Sequence, residues 1–403
     1  MAETRYRMVS FSLCTRAGRL LGTTPEMRMP RAPGWNDTRP LVALARREWA
    51  LDAVVLRLID AAKRDGIRHL RYAVEISRPP TVALVPSPAG DFADEPLRQA
   101  WARPGGPARQ LEWAARELAA RGTPMTGDPE QVRSWNLSSL WRLPHRDGAA
   151  WLKAVPSFFA HEGAVIERLH GYDVPRLISR SEGVCLLDDI PGDDLHRAPL
   201  GTALRMVDTL VDIQRGTVAD AALRSVLPDW RLSAIAEGAI RVLERWAAEL
   251  SSGERAAVAG LVDGLDERAG RLQDCGLPDG LVHGDFHPGN VRGTSGRLTL
   301  LDWGDSGLGH PLLDVAAFTE RMSAADADAV VAHWTRAWRA AVPGSDPQRA
   351  LTLIEPVAAL RQAVVYQQIL DRIEPAERRY FTDDPVLWLR RTALAVERHA
   401  AAP

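Results

Sequence analysis

The sequence predicts an α+β protein of two lobes, one sheet-rich and one helical, preceded by a small α/β unit. Three observations carry this. The length, 403 residues, exceeds what one hydrophobic core usually serves. Apolar segments between residues 132 and 187 are short and separated by turn residues, whereas those from Pro199 onward are long and helically periodic. The first 130 residues mix strand-like and helix-like stretches of their own. An apolar fraction of 46% with 25% charged residues excludes wholesale disorder.

In the accessory region, residues 1–130, positions 6–14 alternate as a strand and positions 16–19 read as a turn. Residues 48–63 carry helical spacing and stop at Asp65-Gly66, which predicts a helix with a C-terminal signal. A strand follows at 70–76, ended by Pro79-Pro80. Residues 86–107, rich in Pro, Gly and Ala, read as an irregular connector, and 110–121 as a helix closed by Gly122. In the sheet-rich lobe, residues 131–192, apolar stretches at 132–143 and 149–155 flank the hairpin signature Pro144-His145-Arg146-Asp147-Gly148. A helix at 158–170 and strands at 174–178 and 184–187 complete it. The third region, residues 193–403, predicts helices at 202–215, 235–250, 254–275, 324–341, 349–368 and 384–401.

Fifty basic residues against 52 acidic ones leave a formal charge of −2, without the basic footprint that nucleic acid or an anionic membrane demands. The apolar stretch at 8–14 is too short for a signal sequence, and no run of about 18 apolar residues offers a membrane span. Cys14, Cys185 and Cys275 are an odd, widely spaced set that suits reduced thiols, so a cytoplasmic location is expected. Lys63 and Lys153 are the only lysines, which singles out any lysine placed where a compact ammonium is useful.

The densest chemical signal is Leu281-Val282-His283-Gly284-Asp285-Phe286-His287-Pro288-Gly289-Asn290-Val291, followed by Leu298-Thr299-Leu300-Leu301-Asp302-Trp303. Gly293-Thr294-Ser295-Gly296 is a turn between two apolar segments, and a hairpin there returns Asp302 towards Asn290. Such an arrangement has a direct reading. Asp285 accepts a proton from an attacking hydroxyl, while Asn290 and Asp302 offer hard oxygen ligands to magnesium on a nucleotide's phosphates. Gly-Asp-x-His also occurs in metallophosphoesterases, but those need an Asn-His-acid motif, and Asn290 is followed by Val291.

These segments resemble the signature of the aminoglycoside phosphotransferase and choline kinase family, relatives of protein kinases, over about residue 132 to the C-terminus. The resemblance implies a bilobal protein-kinase-like fold, with Asp285 as catalytic base, Asn290 and Asp302 as magnesium ligands, His283 supporting the loop and Asp314 as a structural anchor. The accessory region lies outside it. That region faintly resembles a Nudix fold, but Gly106 and Glu112 supply only the opening of a Nudix box, without the acidic metal-binding cluster, so it reads as structural or degenerate.

Upstream, Lys153 sits on a strand after a hairpin, where the resemblance places the lysine that meets the nucleotide's phosphates. Glu162 and Glu167 share the next helix, and the resemblance selects Glu162 as the lysine's partner. Ser134, Asn136 and Ser138 would form the phosphate-covering loop, by backbone N–H groups and small side chains in place of glycines. Leu187 and Asp189 fall in the segment between lobes, where backbone groups would meet the purine.

The expected cofactors are ATP or GTP with Mg2+. The expected partner is a small molecule with a free hydroxyl, a glycoside or antibiotic, whose phosphorylation would confer resistance. A metabolic sugar or amino-alcohol kinase is the alternative, as is a non-catalytic nucleotide-binding module, which would not need intact Lys153, Asp285, Asn290 and Asp302. From Asp314 onward twelve acidic residues face eleven arginines, which predicts an acceptor with few positive charges.

Overall fold

The computed structural model describes residues 6–30 and 36–401. It forms two compact units: Met1–Ala160 with Leu177–Asp189 and Arg372–Tyr380, and His161–Arg176 with Ile190–Asp371 and Phe381–Pro403.

The first unit contains two five-stranded sheets. Strands β1 (Tyr6–Thr15), β2 (Leu20–Thr23) and β3 (Met27–Pro30) lead into helix α1 (Arg39–Trp49), then β4 (Ala53–Arg64) and β5 (Ile67–Ile76). Their order is β2-β1-β5-β4, with β3 also on β1, and the β1–β5 pair is parallel. Alternate residues Val9, Phe11 and Leu13 of β1 and Leu70, Tyr72 and Val74 of β5 pack with Leu41 and Leu44 of α1 in one core.

This corrects the helix expected at 48–63. The helix ends at Trp49, where Ala50 turns left-handed (φ 50°), and residues 53–64 are strand. Asp65 and Gly66 both have positive φ, 49° and 80°, which is the demand of a two-residue hairpin turn. The dipeptide joins β4 to β5; it does not cap a helix. An apolar run bearing both periodicities is decided by its partner strand, which spacing alone does not disclose.

Helix α2 (Gly106–Ala120) precedes the second sheet, formed by β6 (Glu130–Ser134), β7 (Ser139–His145), β8 (Gly148–Ala154), β9 (Leu177–Ser181) and β10 (Val184–Asp188) in the order β6-β7-β8-β10-β9. Strand β9 starts later than the 174–178 expected from sequence, beyond Pro175, which has no N–H for a ladder. Ala114 and Leu118 of α2 are buried against Trp141, Leu143, Ala150, Leu152 and Leu186 of this sheet. The Gln131 side-chain amide exchanges two hydrogen bonds with the Val55 backbone, at 2.9 and 2.7 Å, and so ties β6 to β4. A 3-10 turn, Pro375–Tyr380, also belongs to this unit, and Glu374 just before it accepts hydrogen bonds from Arg57 and Arg98, all three buried.

The second unit is mainly helical. Its elements are α3 (Glu162–Arg168), β11 (Asp193–Asp194), α4 (Leu200–Thr217), α5 (Ala221–Val226), α6 (Leu232–Trp246), α7 (Ser252–Asp263) and α8 (Leu265–Gln273). Then come β12 (Gly280–Val282), β13 (Val291–Gly293), β14 (Leu298–Leu300), β15 (Gly307–Gly309), α9 (Val315–Thr319), α10 (Ala324–Ala341), α11 (Pro347–Arg372) and α12 (Asp384–Ala401). The single helix expected at 254–275 is two, broken at Gly264, and the one expected at 158–170 is the shorter α3. Among the described residues, no helix is long and apolar enough to cross a membrane.

Candidate active site

In the second unit, the segment from His283 to Asp305 is positioned by two small antiparallel pairings. Strands β12 and β15 hold its ends, and β13 pairs with β14 through Val291 opposite Leu300. The Leu301 N–H donates to the Asn290 carbonyl at 2.8 Å, so Asp302 follows directly on the strand beside Asn290. Asp302 itself is left-handed (φ 64°), a sparsely populated conformation for a residue with a side chain, and such backbones concentrate at functional sites.

The carboxylate of Asp285 is 45% exposed and accepts a hydrogen bond from Asn290 Nδ2 at 3.0 Å. Asn290 Nδ2 also donates to the Asp285 carbonyl at 2.9 Å, which turns its own Oδ1 away from Asp285. His287 Nδ1 accepts from the Gly289 N–H, so in the neutral ring the proton is on Nε2, 3.5 Å from the Asp285 carboxylate. The chain thus holds one accessible carboxylate in a fixed orientation.

The loop bearing it is anchored from below. His283 is fully buried, and burial lowers its pKa, so the ring is neutral and its Nε2–H donates to the Leu301 carbonyl at 2.9 Å. It packs on Trp303, with ring centroids 4.5 Å apart. The buried Asp314 carboxylate accepts the His283 and Gly284 N–H groups at 2.9 and 2.7 Å and the Gln214 amide at 3.1 Å. Burial raises its pKa while those hydrogen bonds oppose the rise. Arg361 of α11, 2% exposed, donates to the carbonyls of Gly284 and Asp305 at 3.0 and 2.9 Å. Glu162, 1% exposed, accepts the Trp303 N–H at 3.2 Å, and Glu167 on the same helix is exposed.

Asn290 and Asp302 flank the β13–β14 hairpin, one just before it and one just after it, and a carboxamide and a carboxylate are a donor chemistry that fits magnesium. Among the described residues, no three His, Cys, Asp or Glu side chains form a metal cage by themselves. A magnesium ion here would rest on two protein ligands and take its remaining oxygens from water and phosphate, as this ion commonly does.

The other expected residues lie in the first unit. Lys153 is half-buried in β8, paired with Leu140 of β7 and Cys185 of β10. Leu187 pairs with Trp151, whose indole N–H donates to Asp189 Oδ1 at 2.6 Å. In the loop read as phosphate-covering, two hydroxyls are already engaged. Ser134 donates to the Leu56 carbonyl at 2.8 Å and Ser138 accepts the Trp135 indole N–H at 2.8 Å. Asn136, 1% exposed, keeps both polar side-chain atoms buried and without a partner among the described residues. Ser138, which only accepts, keeps its own hydroxyl proton to donate to a ligand, as Asn136 keeps its amide.

Sequence reasoning missed Arg361 and Gln214. A signal for Arg361 existed: it is a charge inside Pro356-Val357-Ala358-Ala359-Leu360-Arg361-Gln362-Ala363-Val364-Val365, where both helix faces are apolar. Burial raises the Tyr366 pKa, and Asp384, Asp285, Asp305 and Glu320 push it in the same direction. Four carboxylates therefore share one neighbourhood, which counting along the chain had spread evenly among arginines.

A family model described as a phosphotransferase enzyme family (APH) matches residues 140–351. Among solved structures, a fructosamine-3-kinase candidate from Thermobifida fusca is similar at TM-score 0.51 and 18% identity, covering 71% of this chain and 98% of its own. A macrolide 2′-phosphotransferase from Brachybacterium faecium gives 0.50 and 17%, covering 68% and 97%. The choline kinase of Streptococcus pneumoniae gives 0.50 and 13%, covering 72% and 99%. At these identities the likeness establishes the kinase-like α+β fold. No curated protein sequence matches the chain.

Proposed function

Because this chain belongs to the phosphotransferase enzyme family and is a phosphotransferase acting on an alcohol group, we propose that it carries the terminal phosphoryl group of ATP or GTP to a hydroxyl of a glycosylated small molecule. The observation that carries this reading is the exposed Asp285 carboxylate, fixed by Asn290 on a loop that Asp314 and Arg361 hold from beneath. In the step, the acceptor oxygen forms a bond to the terminal phosphorus and the bridging P–O bond to the nucleoside diphosphate breaks. The hydroxyl proton passes to the Asp285 carboxylate. Asn290 and Asp302 would hold magnesium, which when bound supplies charge neutralisation to the phosphate oxygens. Lys153 would add a point charge there, and Asn136 a donor.

Asp285, Asp305, Asp384 and Glu320 all act on Tyr366, but Glu320 pairs with Arg391 and Arg361 faces Asp285 and Asp305, so acceptors with and without an ammonium group are both to be assayed. The macrolide 2′-phosphotransferase among the fold relatives makes glycosylated antibiotics the first acceptors to assay. The test is a mass-spectrometric screen for the gain of one phosphoryl group across amino-bearing and neutral glycosides, run with both nucleotides and magnesium. Asp285→Asn should lower transfer by about 10²–10⁴ while nucleotide binding persists. Wild-type turnover in that variant would remove Asp285 from its role.

A further inference from the structure

The turn that follows Asp302 is held by side chains from outside it. Asp302 is left-handed, and a backbone of that kind persists where its surroundings over-determine it. Trp303 and Ser306, at the two ends of the turn, are fully buried. Ser306 closes the turn on itself: its N–H and its hydroxyl both donate to the Trp303 carbonyl, at 3.2 and 2.6 Å. The Trp303 N–H and the Ser306 carbonyl are both taken by the start of α3. Glu162 accepts the first at 3.2 Å, and His161 Nε2 donates to the second at 3.1 Å.

His161 is the N-cap of α3, yet its side chain makes no cap hydrogen bond. The ring instead reaches Ser306, 145 residues along the chain. Burial lowers its pKa, so the ring is uncharged at neutral pH, and a neutral ring that donates through Nε2 carries its proton there. A buried carbonyl thus gains a donor without a charge being buried for it. The carbonyls of Gly284 and Asp305, by contrast, are served by the guanidinium of Arg361.

We propose that His161 is a positioning residue for the metal site. Its hydrogen bond to Ser306, with that of Glu162 to Trp303, holds the turn that aims the Asp302 carboxylate. This rests on the reading of Asp302 as a magnesium ligand, and His161 acts on the metal only through the turn.

The test is calorimetric titration of the full chain with ADP and with GDP, each in magnesium chloride and in EDTA, which needs neither an acceptor nor turnover. The ratio of the two affinities, the magnesium gain, separates the metal from the rest of the nucleotide site. Asp302→Asn and His161→Leu should each lower that gain about tenfold and leave the affinity in EDTA unchanged. His161→Gln, whose side-chain amide keeps an N–H donor, should restore most of it. A gain unchanged in His161→Leu while Asp302→Asn loses it overturns the positioning role and leaves the metal reading intact. A loss that His161→Gln shares in full overturns it too, because the donor would then not be what matters. No magnesium gain in wild type, or none lost in Asp302→Asn, removes the metal reading and the proposal with it. If His161→Leu does not fold, nitrogen NMR spectra of isotope-labelled histidine in wild type, assigned with His161→Gln, decide the matter. A neutral His161 ring protonated on Nε2 supports the contact, and a proton on Nδ1 overturns it.

Discussion

Glu377 offers a stability switch whose size follows from its surroundings. It sits in the Pro375–Tyr380 turn, buried, next to Glu374, which already bridges Arg57 and Arg98. Burial, and after it the charge of Glu374, raise its pKa from 4.5 to about 8. The folded protein therefore keeps this carboxyl protonated at pH values where the unfolded chain has released the proton. Its contribution to stability is fully present below about 4.5 and is lost as pH rises to about 8. Each pH unit in that window costs about 1.4 kcal/mol, so the loss is about 3 kcal/mol at pH 7 and on the order of 5 kcal/mol at pH 8 and above. Glu377→Gln removes the ionisation and keeps the shape. Urea unfolding of both proteins from pH 5 to pH 9 should give similar stabilities at the acid end. The variant should then pull ahead by several kcal/mol at the alkaline end. A difference that stays constant across this range, or a variant weaker than wild type at pH 9, would refute the reasoning.

Three further outcomes are expected. Asp302→Asn keeps a residue that tolerates the left-handed backbone but removes the charge. It should weaken magnesium-dependent nucleotide binding roughly tenfold, about 1.4 kcal/mol, in calorimetric titration, and unchanged affinity would count against the metal role. Lys153→Arg should retain the fold yet rescue transfer poorly compared with wild type, since the guanidinium is larger and planar; full activity would reduce the requirement to generic charge. Deleting residues 1–126 strips α2 from Trp141, Leu143, Leu152 and Leu186, each worth roughly 1.5–3 kcal/mol when buried, and should leave the remainder insoluble or without a cooperative melt. A soluble fragment with wild-type turnover would overturn that.

The hairpin of the candidate site was legible because its information is local. Gly293 to Gly296 make a turn, Leu298 to Leu300 an apolar strand, and Asp302 follows by counting; the observed pairing of Val291 with Leu300 needs nothing from afar. Strand β1 and the helices α10 and α12 were legible for the same reason, since their periodicity extends over whole elements. Residues 48–63 were misread because an apolar run with Asp-Gly at its end satisfies a helix stop and a hairpin turn equally. The choice is made by β5, the strand that follows. Ser134 and Ser138 do lie on a hairpin, as expected, but the sequence could not reveal that the Ser134 hydroxyl is spent on Leu56, 78 residues away. The accessory region was read as separate for a similar reason. A glutamine amide standing in for a strand partner, as Gln131 does for Val55, has no periodicity and leaves no sequence trace.

The same contrast explains why the most deeply buried charges escaped notice. Gly284, next to the proposed base, has φ of 87°, a conformation that favours glycine, and a Cβ there would collide with the Asp305 carbonyl. A left-handed residue between a strand and a functional carboxylate needs its N–H and carbonyl satisfied away from any regular ladder. Asp314 takes the N–H, from 30 residues away, and Arg361 takes the carbonyl, from 77. Each is a full charge buried to satisfy two backbone groups of this segment, an expensive choice against neutral alternatives unless the loop must not move. The two charges also lower each other's cost, since Arg361 pulls the Asp314 pKa down and Asp314 pulls that of Arg361 up. Rigidity beneath Asp285 is therefore written in residues far along the chain, while the proposed chemistry above it is written in the eight residues from His283 to Asn290.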